Sequence, residues 1–421
     1  MKNQLLERRI AMYNTTRILA ENILMNNDTR KTGINNNDLI IGPSGAGKTR
    51  GYVIPNILNA EESLIVTDTK GNLRHKLKSQ LLAKGYHVLD LNFKEIQNST
   101  YGYNPLHHIR KISDSEYNEQ DIVTISHILC PVRSDRDPFW EESAQLYMQC
   151  LIAYVMNFLP EEEHHLDSVG KLAEKLGTTA FHELMLEIKD VDPDGFIARR
   201  YNQIASNKTA DKMDASIKGF LFRALNPYCT ADIQHFFTNE KTVNLKRIGQ
   251  EKTVLFLEVS DTDRSRDTLV NLFYTQAFQE LCEEADTRLP SCSLKVPVRF
   301  ILDDFATNTL IPHFDKLISV IRSREISVSL IIQSLSQLEH LYGHYASQTI
   351  INNCDNMLYL GGLDVETANY IALKLNKTAY TILNLPTDSA YLFTRGKEPR
   401  KVQKYCLENH EPHEIRKEYQ L

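Results

Sequence analysis

Long hydrophobic runs are missing from this 421-residue sequence. The longest apolar stretches, such as CLIAYVMNFL (150–159), fall far short of the roughly 20 residues that cross a bilayer, and the opening MKNQLLERRI carries charge where a signal peptide carries an apolar core. The chain therefore reads as cytoplasmic, not membrane-spanning. Paired cysteine motifs are missing too. The seven cysteines are an odd number at scattered spacings with no CxxC, which excludes a disulfide framework or a cysteine zinc site and points to free thiols. The adjacent pairs His107/His108 and His164/His165 lack the spacing that places two ligands on one helix face. Excess positive charge is also absent. With 48 Lys plus Arg against 54 Asp plus Glu, the net charge is −6, so the chain is no general polyanion binder and any DNA contact has to be local.

What is present is the composition of an ordinary folded protein, 42% hydrophobic and 24% charged, long enough for two or three packed units. Apolar runs of strand length occur at 37–42, 63–68 and 86–91, and after a long gap at 253–259, 298–303, 328–333, 356–361 and 389–394. They are continuous rather than alternating, as expected of strands covered on both faces of a parallel sheet, and helical patterns such as 266–285 lie between most of them. The order predicts an α/β fold. Residues 107–247 show helical patterns at 139–159, 166–176 and 211–225 without a strand, which predicts an all-α insertion. The expected organisation is a helical lead-in (1–36), a first α/β segment (37–106), the insertion (107–247), a second α/β segment (248–396) and a tail (397–421).

Charge is uneven inside the insertion. Between Arg110 and Asp194, 18 acidic residues face 7 basic ones. From Gly195 to Arg223 the balance reverses, with Arg199, Arg200, Lys208, Lys212, Lys218 and Arg223 against Asp211 and Asp214. Solvated helix faces would account for this, and so would two docking surfaces of opposite sign, the basic one for DNA. The sole tryptophan, Trp140, is expected to pack in the core.

Residues 42–49, Gly42-Pro43-Ser44-Gly45-Ala46-Gly47-Lys48-Thr49, fit G-x-x-x-x-G-K-[ST] between a strand and a helical stretch. The glycines let backbone N–H groups face a phosphate, Lys48 reaches the β- and γ-phosphates from an exposed position, and the Thr49 hydroxyl can ligate Mg²⁺. ATP with Mg²⁺ is the expected ligand. A carboxylate at the end of a neighbouring strand is then required, and the run ending in Asp303-Asp304 supplies two. Asp303 is expected to hold the metal through water, and Asp304 to orient or deprotonate the attacking water. Glu is usual at the second position, so the shorter Asp304 argues for slow turnover.

GKTRGYVIPNIL (47–58), VTDTKGNL (66–73), YNPL (103–106), DPFW (137–140), LDDFAT (302–307), the run 311–343 and NCDNMLYLGG (353–362) occur in one order that resembles the coupling ATPases of type IV secretion and conjugation, the TraG/TraD type. The resemblance covers about 20–396. It implies a RecA-like P-loop motor with an inserted all-α domain, a ring of six subunits, transport of single-stranded DNA, and recruitment of relaxase and relaxosome proteins to a secretion channel. ATP would sit between subunits, with Arg322 completing the neighbour's site and Arg324 its competitor; a surface ion pair with Asp315 or Glu325 is the plain alternative for each. Gln333 matches the position that touches the γ-phosphate or its water. Asp68 and Lys70 match a motif that the resemblance places only at the rim of the site. Typical members begin with membrane-spanning helices, whereas here the P-loop lies within about 40 residues of Met1. A separate membrane anchor at the inner face of the cell membrane, a soluble relative and a shortened chain are the three expectations. A nucleotide-gated recruitment platform and an FtsK-like DNA translocase are the competing functions.

Overall fold

The computed structural model describes residues 16–113, 116–133, 136–207, 211–305 and 310–409. The chain divides into two compact units, one of 1–94, 244–264 and 277–421, the other of 95–243 and 265–276.

The first unit begins with a hairpin of β1 (Thr16–Ala20) and β2 (Ile23–Asn26), where a helical lead-in was expected. Four of the five β1 residues are buried, a demand that a surface helix would not satisfy. The main strands are β3 (Asp38–Ile41), β4 (Ser63–Asp68) and β5 (His87–Asn92). In the second unit, β6 (Lys111–Ser113) and β7 (Glu116–Tyr117) form a small hairpin. The first unit resumes with β8 (Thr253–Glu258), β9 (Val298–Leu302), β10 (Ile326–Ile332), β11 (Asn356–Tyr359), β12 (Ser389–Thr394) and β13 (Arg400–Gln403). Nine of them make one sheet in the order β13-β12-β11-β3-β10-β9-β4-β8-β5. From β11 to β5 every neighbouring pair is parallel, and β12 and β13 add antiparallel at one edge.

Every residue of β3, β4, β8, β9, β10 and β11 is buried, which is why their sequences read as unbroken apolar runs. The edge strands differ. β5 is exposed at its start, and β13 buries only Val402 of Arg-Lys-Val-Gln, so polar sequence hides a strand inside the expected tail.

Beneath the amino-terminal ends of the strands lies a buried charge cluster. Arg17 Nε donates to Asp38 at 2.6 Å, and Tyr52 donates to the same carboxylate at 2.6 Å. Arg299 Nε donates to Glu62 at 2.5 Å and lies 3.8 Å from Asp38. The hairpin thereby ties the start of β3 to the helix that follows the P-loop.

The second unit is mainly helical, with helices Glu119–Leu129, Phe139–Phe158, Leu166–Ala173, Thr179–Val191, Phe196–Asn207 and Asp211–Leu225. The β6–β7 hairpin corrects the expectation of a wholly α insertion. Its residues are exposed or half-buried and carry no apolar run that a sequence pattern could register. Among the described residues no helix is long and apolar enough to cross a membrane.

Candidate nucleotide-binding site

The C-terminal ends of β3, β10, β9 and β4, four adjacent parallel strands, deliver the site to one edge of the sheet. The loop after β3 runs from Gly42 to Lys48 and opens the helical stretch Thr49–Asn59, whose first turns are π-helical. Gly45 and Gly47 adopt φ of 78° and 91°, left-handed backbone that a side chain would strain, and this conformation turns successive N–H groups inward. Lys48 is 8% exposed, more buried than its motif role implies. Its Nζ donates to the carbonyl oxygens of Gly42 at 2.8 Å and Pro43 at 3.1 Å, so the ammonium is folded over its own loop.

Asp303 follows β9 and is also 8% exposed. Its carboxylate accepts from Thr49 Oγ1 at 3.2 Å, which brings together the two groups expected at the metal. Burial, and then the neighbouring Asp304, push its pKa up to about 6 against the opposing pull of Lys48 and Thr49. Asp304 has φ of 53°, a left-handed conformation that Asp tolerates better than Glu, which gives a backbone reason for the shorter side chain. Gln333 follows β10, between the P-loop strand and the Asp303 strand.

These groups line a cleft of about 260 Å³ together with Arg50, Thr67, Asp68, Thr69, Lys70 and Asn72. A glycine cradle, a lysine, a hydroxyl and a buried carboxylate suit a nucleotide polyphosphate with Mg²⁺, a hard ion that takes oxygen ligands. Asp68 plays a different part. Burial raises its pKa, and its carboxylate accepts from the Leu73 N–H at 2.6 Å, so it holds the turn after β4.

Three features escaped the sequence. Arg50 faces the cleft and pairs with Glu408. Lys404 Nζ donates to the P-loop carbonyl of Ala46 at 3.1 Å. Leu407 is buried in the core cluster that holds Tyr52 and Val53. Sequence separations near 358 residues leave no local signal for such contacts.

Arg322 is exposed before β10, at the sheet edge opposite Gln333. Arg324 makes a two-pronged bond to Asp286, at 2.9 Å from each nitrogen, and not to the expected Asp315 or Glu325. In the second unit, Arg199 is bound to Glu119 at 2.8 Å and Lys218 to Asp214 at 2.7 Å, while Arg200 lies over the Phe196 ring at 4.8 Å. The basic stretch is thus not a row of uncommitted cations. Lys208 lies outside the described residues, as does the Lys212 side chain. Trp140 is half-exposed and donates to Asp137 at 2.8 Å, which corrects the expectation of core packing; its polar N–H holds it at the surface.

Comparison with known proteins agrees with this architecture. The chain is 22% identical to Protein VirD4 of Rhizobium radiobacter over 84% of its own length and 50% of that protein's. It is 21% identical to Protein VirD4 of Agrobacterium fabrum over 84% and 52%. The chain therefore spans about half the length of these curated relatives. Its fold is that of the plasmid coupling protein TrwB in complex with ADP and Mg²⁺, with a TM-score of 0.65, 14% identity, and coverage of 93% of this chain and 89% of that one. The TrwBdeltaN70 form in complex with sulphate gives a TM-score of 0.66 at 14% identity, over 88% and 85%. VirB4 of Thermoanaerobacter pseudethanolicus is more distant, with a TM-score of 0.55 at 13% identity over 96% and 98%. The family model for type IV secretory system conjugative DNA transfer matches residues 1–421, and the chain belongs to that family.

Proposed function

We propose that this chain is the ATP-driven motor of a coupling protein for conjugative type IV secretion, which recruits relaxase-bound DNA and helps move single-stranded DNA to the secretion channel. The observation that carries the reading is the gathering of Lys48, Thr49, Asp303, Asp304 and Gln333 at one sheet edge. Within the loop 42–47, Ser44, Gly45 and Gly47 offer backbone N–H groups to the phosphates, since Pro43 has none and those of Gly42 and Ala46 are donated to Ile332 and Pro43. Lys48 leaves its two loop carbonyls for the β- and γ-phosphates. Thr49 and Asp303 hold Mg²⁺, which supplies charge neutralisation across the phosphates. Asp304 orients the attacking water and accepts its proton, and Gln333 contacts that water or the γ-phosphate.

Arg322 acts in the neighbouring subunit of a hexamer. It precedes the seven-residue strand β10, whose far end carries Gln333, so about 20 Å separates it from its own cleft. Its exposure fits a trans role, whereas Arg324 is committed to Asp286. The test mixes Lys48→Ala and Arg322→Ala proteins, each inactive alone. Recovery of ATPase activity in mixed rings supports the trans arginine, and no recovery in rings shown to be mixed refutes it. Stimulation of assembled rings by single-stranded DNA supports the motor. Rings that hydrolyse ATP but neither bind nor respond to DNA would favour a nucleotide-gated recruitment platform, a reading supported by the pairing of Arg199 and Lys218.

A further inference from the structure

Three lysine and arginine side chains line the nucleotide cleft, and they differ in what they hold. Lys48 is bonded to two carbonyls of its own loop, and Arg50 is paired with Glu408. Lys70 lines the same cleft and is exposed, and its ammonium has no hydrogen-bond or ion-pair partner among the described residues.

Its place is nevertheless fixed by the turn that carries it. Asp68 ends β4 and accepts from Leu73 N–H at 2.6 Å, and Gly71 takes the left-handed φ of 67° that closes the turn. Because the Asp68 carboxylate is turned into this loop, it leaves the Lys70 ammonium for something else. The strand order β3-β10-β9-β4 puts the P-loop, Gln333, Asp303 and Lys70 in sequence along one edge. A phosphate chain lying on the P-loop and reaching toward Asp304 runs toward Lys70. Strands are about 4.8 Å apart and an extended lysine reaches about 6 Å, so an ammonium rooted at β4 can cover the ground above β9. The cation meets charge there from the side opposite Lys48.

We propose that Lys70 is a second phosphate ligand of the cleft, binding the γ-phosphate of a nucleoside triphosphate and letting the site tell triphosphate from diphosphate. The proposal rests on the reading of the cleft as a nucleotide site. It turns a rim residue into the group that reports whether the terminal phosphate is present. Since the transferred phosphoryl group carries its charge on outward-facing oxygens, the same contact stabilises the transition state.

The experiment measures the affinity of the full chain for ADP and for a non-hydrolysable ATP analogue, both with Mg²⁺, by calorimetry. Lys70→Ala should lower the preference for the triphosphate by about tenfold, the scale of one charge-assisted hydrogen bond, while ADP affinity changes less than about twofold. Lys70→Arg keeps the charge and should retain most of the preference. An unchanged ratio in Lys70→Ala overturns the proposal, and so does equal weakening of both nucleotides, which would signal a general field or a loop distortion. Lys48→Ala is measured alongside. If it still binds both nucleotides, the nucleotide-site reading itself falls. If it loses both while Lys70→Ala keeps the wild-type ratio, only the Lys70 assignment falls.

Discussion

Two ends of one sheet bury charge in opposite ways. At the amino-terminal ends of the strands, Arg17, Asp38, Arg299 and Glu62 each meet an opposite charge within 4 Å, and Tyr52 adds a hydroxyl to Asp38. At the carboxy-terminal ends, Asp303 is also buried but faces Asp304 with no ion-pair partner within 4 Å among the described residues, and buried Lys48 is folded onto carbonyls, with the exposed Lys70 at the cleft's rim. Buried charges that are matched hold a scaffold in one arrangement. Buried charges left unmatched cost stability, and they persist where a ligand completes them.

The largest expected effect tests the matched end. Arg299→Met leaves Glu62 without its ion partner and Asp38 with Arg17 as its one remaining cation, and should lower the free energy of unfolding by about 3 to 5 kcal/mol in denaturant titrations, with nucleotide affinity of the folded fraction unchanged. A loss below about 1 kcal/mol would mean the cluster is not what fixes the sheet's lower edge. Lys48→Ala is the complementary break. It should reduce nucleotide affinity at least about 100-fold, near 2.7 kcal/mol, and shift unfolding by less than about 1 kcal/mol.

Asp303→Asn sharpens the contrast through pH. A carboxyl raised to about 6 in the fold and near 3.8 when unfolded contributes stability below about pH 3.8 that is lost as pH rises through about 6. The nucleotide-free wild type should therefore gain about 1 to 3 kcal/mol from this group between pH 7 and pH 4. Asp303→Asn should lose that pH dependence, be more stable than wild type at pH 7, and have lost most turnover. A variant less stable at pH 7 would show that the Asp303 charge is already matched. The smallest effect belongs to the surface of the helical unit. Arg199→Ala removes an exposed pair with Glu119 and should cost less than about 1 kcal/mol and leave basal ATPase turnover unchanged.

Much of the unmatched end was legible in the sequence. Gly42 to Thr49, Asp303, Asp304 and Gln333 are each marked by local chemistry at the end of an apolar run, and the sheet joins them because parallel strands share one functional edge. The matched end was not legible. Arg17, Asp38 and Arg299 look like isolated charges in a one-dimensional reading, and nothing local says that each is buried against another. Ion pairing in the helical unit was not legible either, for a related reason: nothing local marks Arg199 as the partner of Glu119, 80 residues away in sequence.

By itself the sequence determined what short-range periodicity and spacing encode, namely the apolar strands, the phosphate loop and the carboxylates that follow β9. Tertiary structure decided which charges are partnered. It turned 16–26 into a hairpin that braces β3, added β13 from a polar tail, closed Lys404 and Glu408 over the P-loop, and left Lys70 facing the cleft. The physical reason is range. Backbone propensity and hydrophobic period act over a few residues, whereas the worth of a charge depends on burial and on neighbours that only the folded chain supplies.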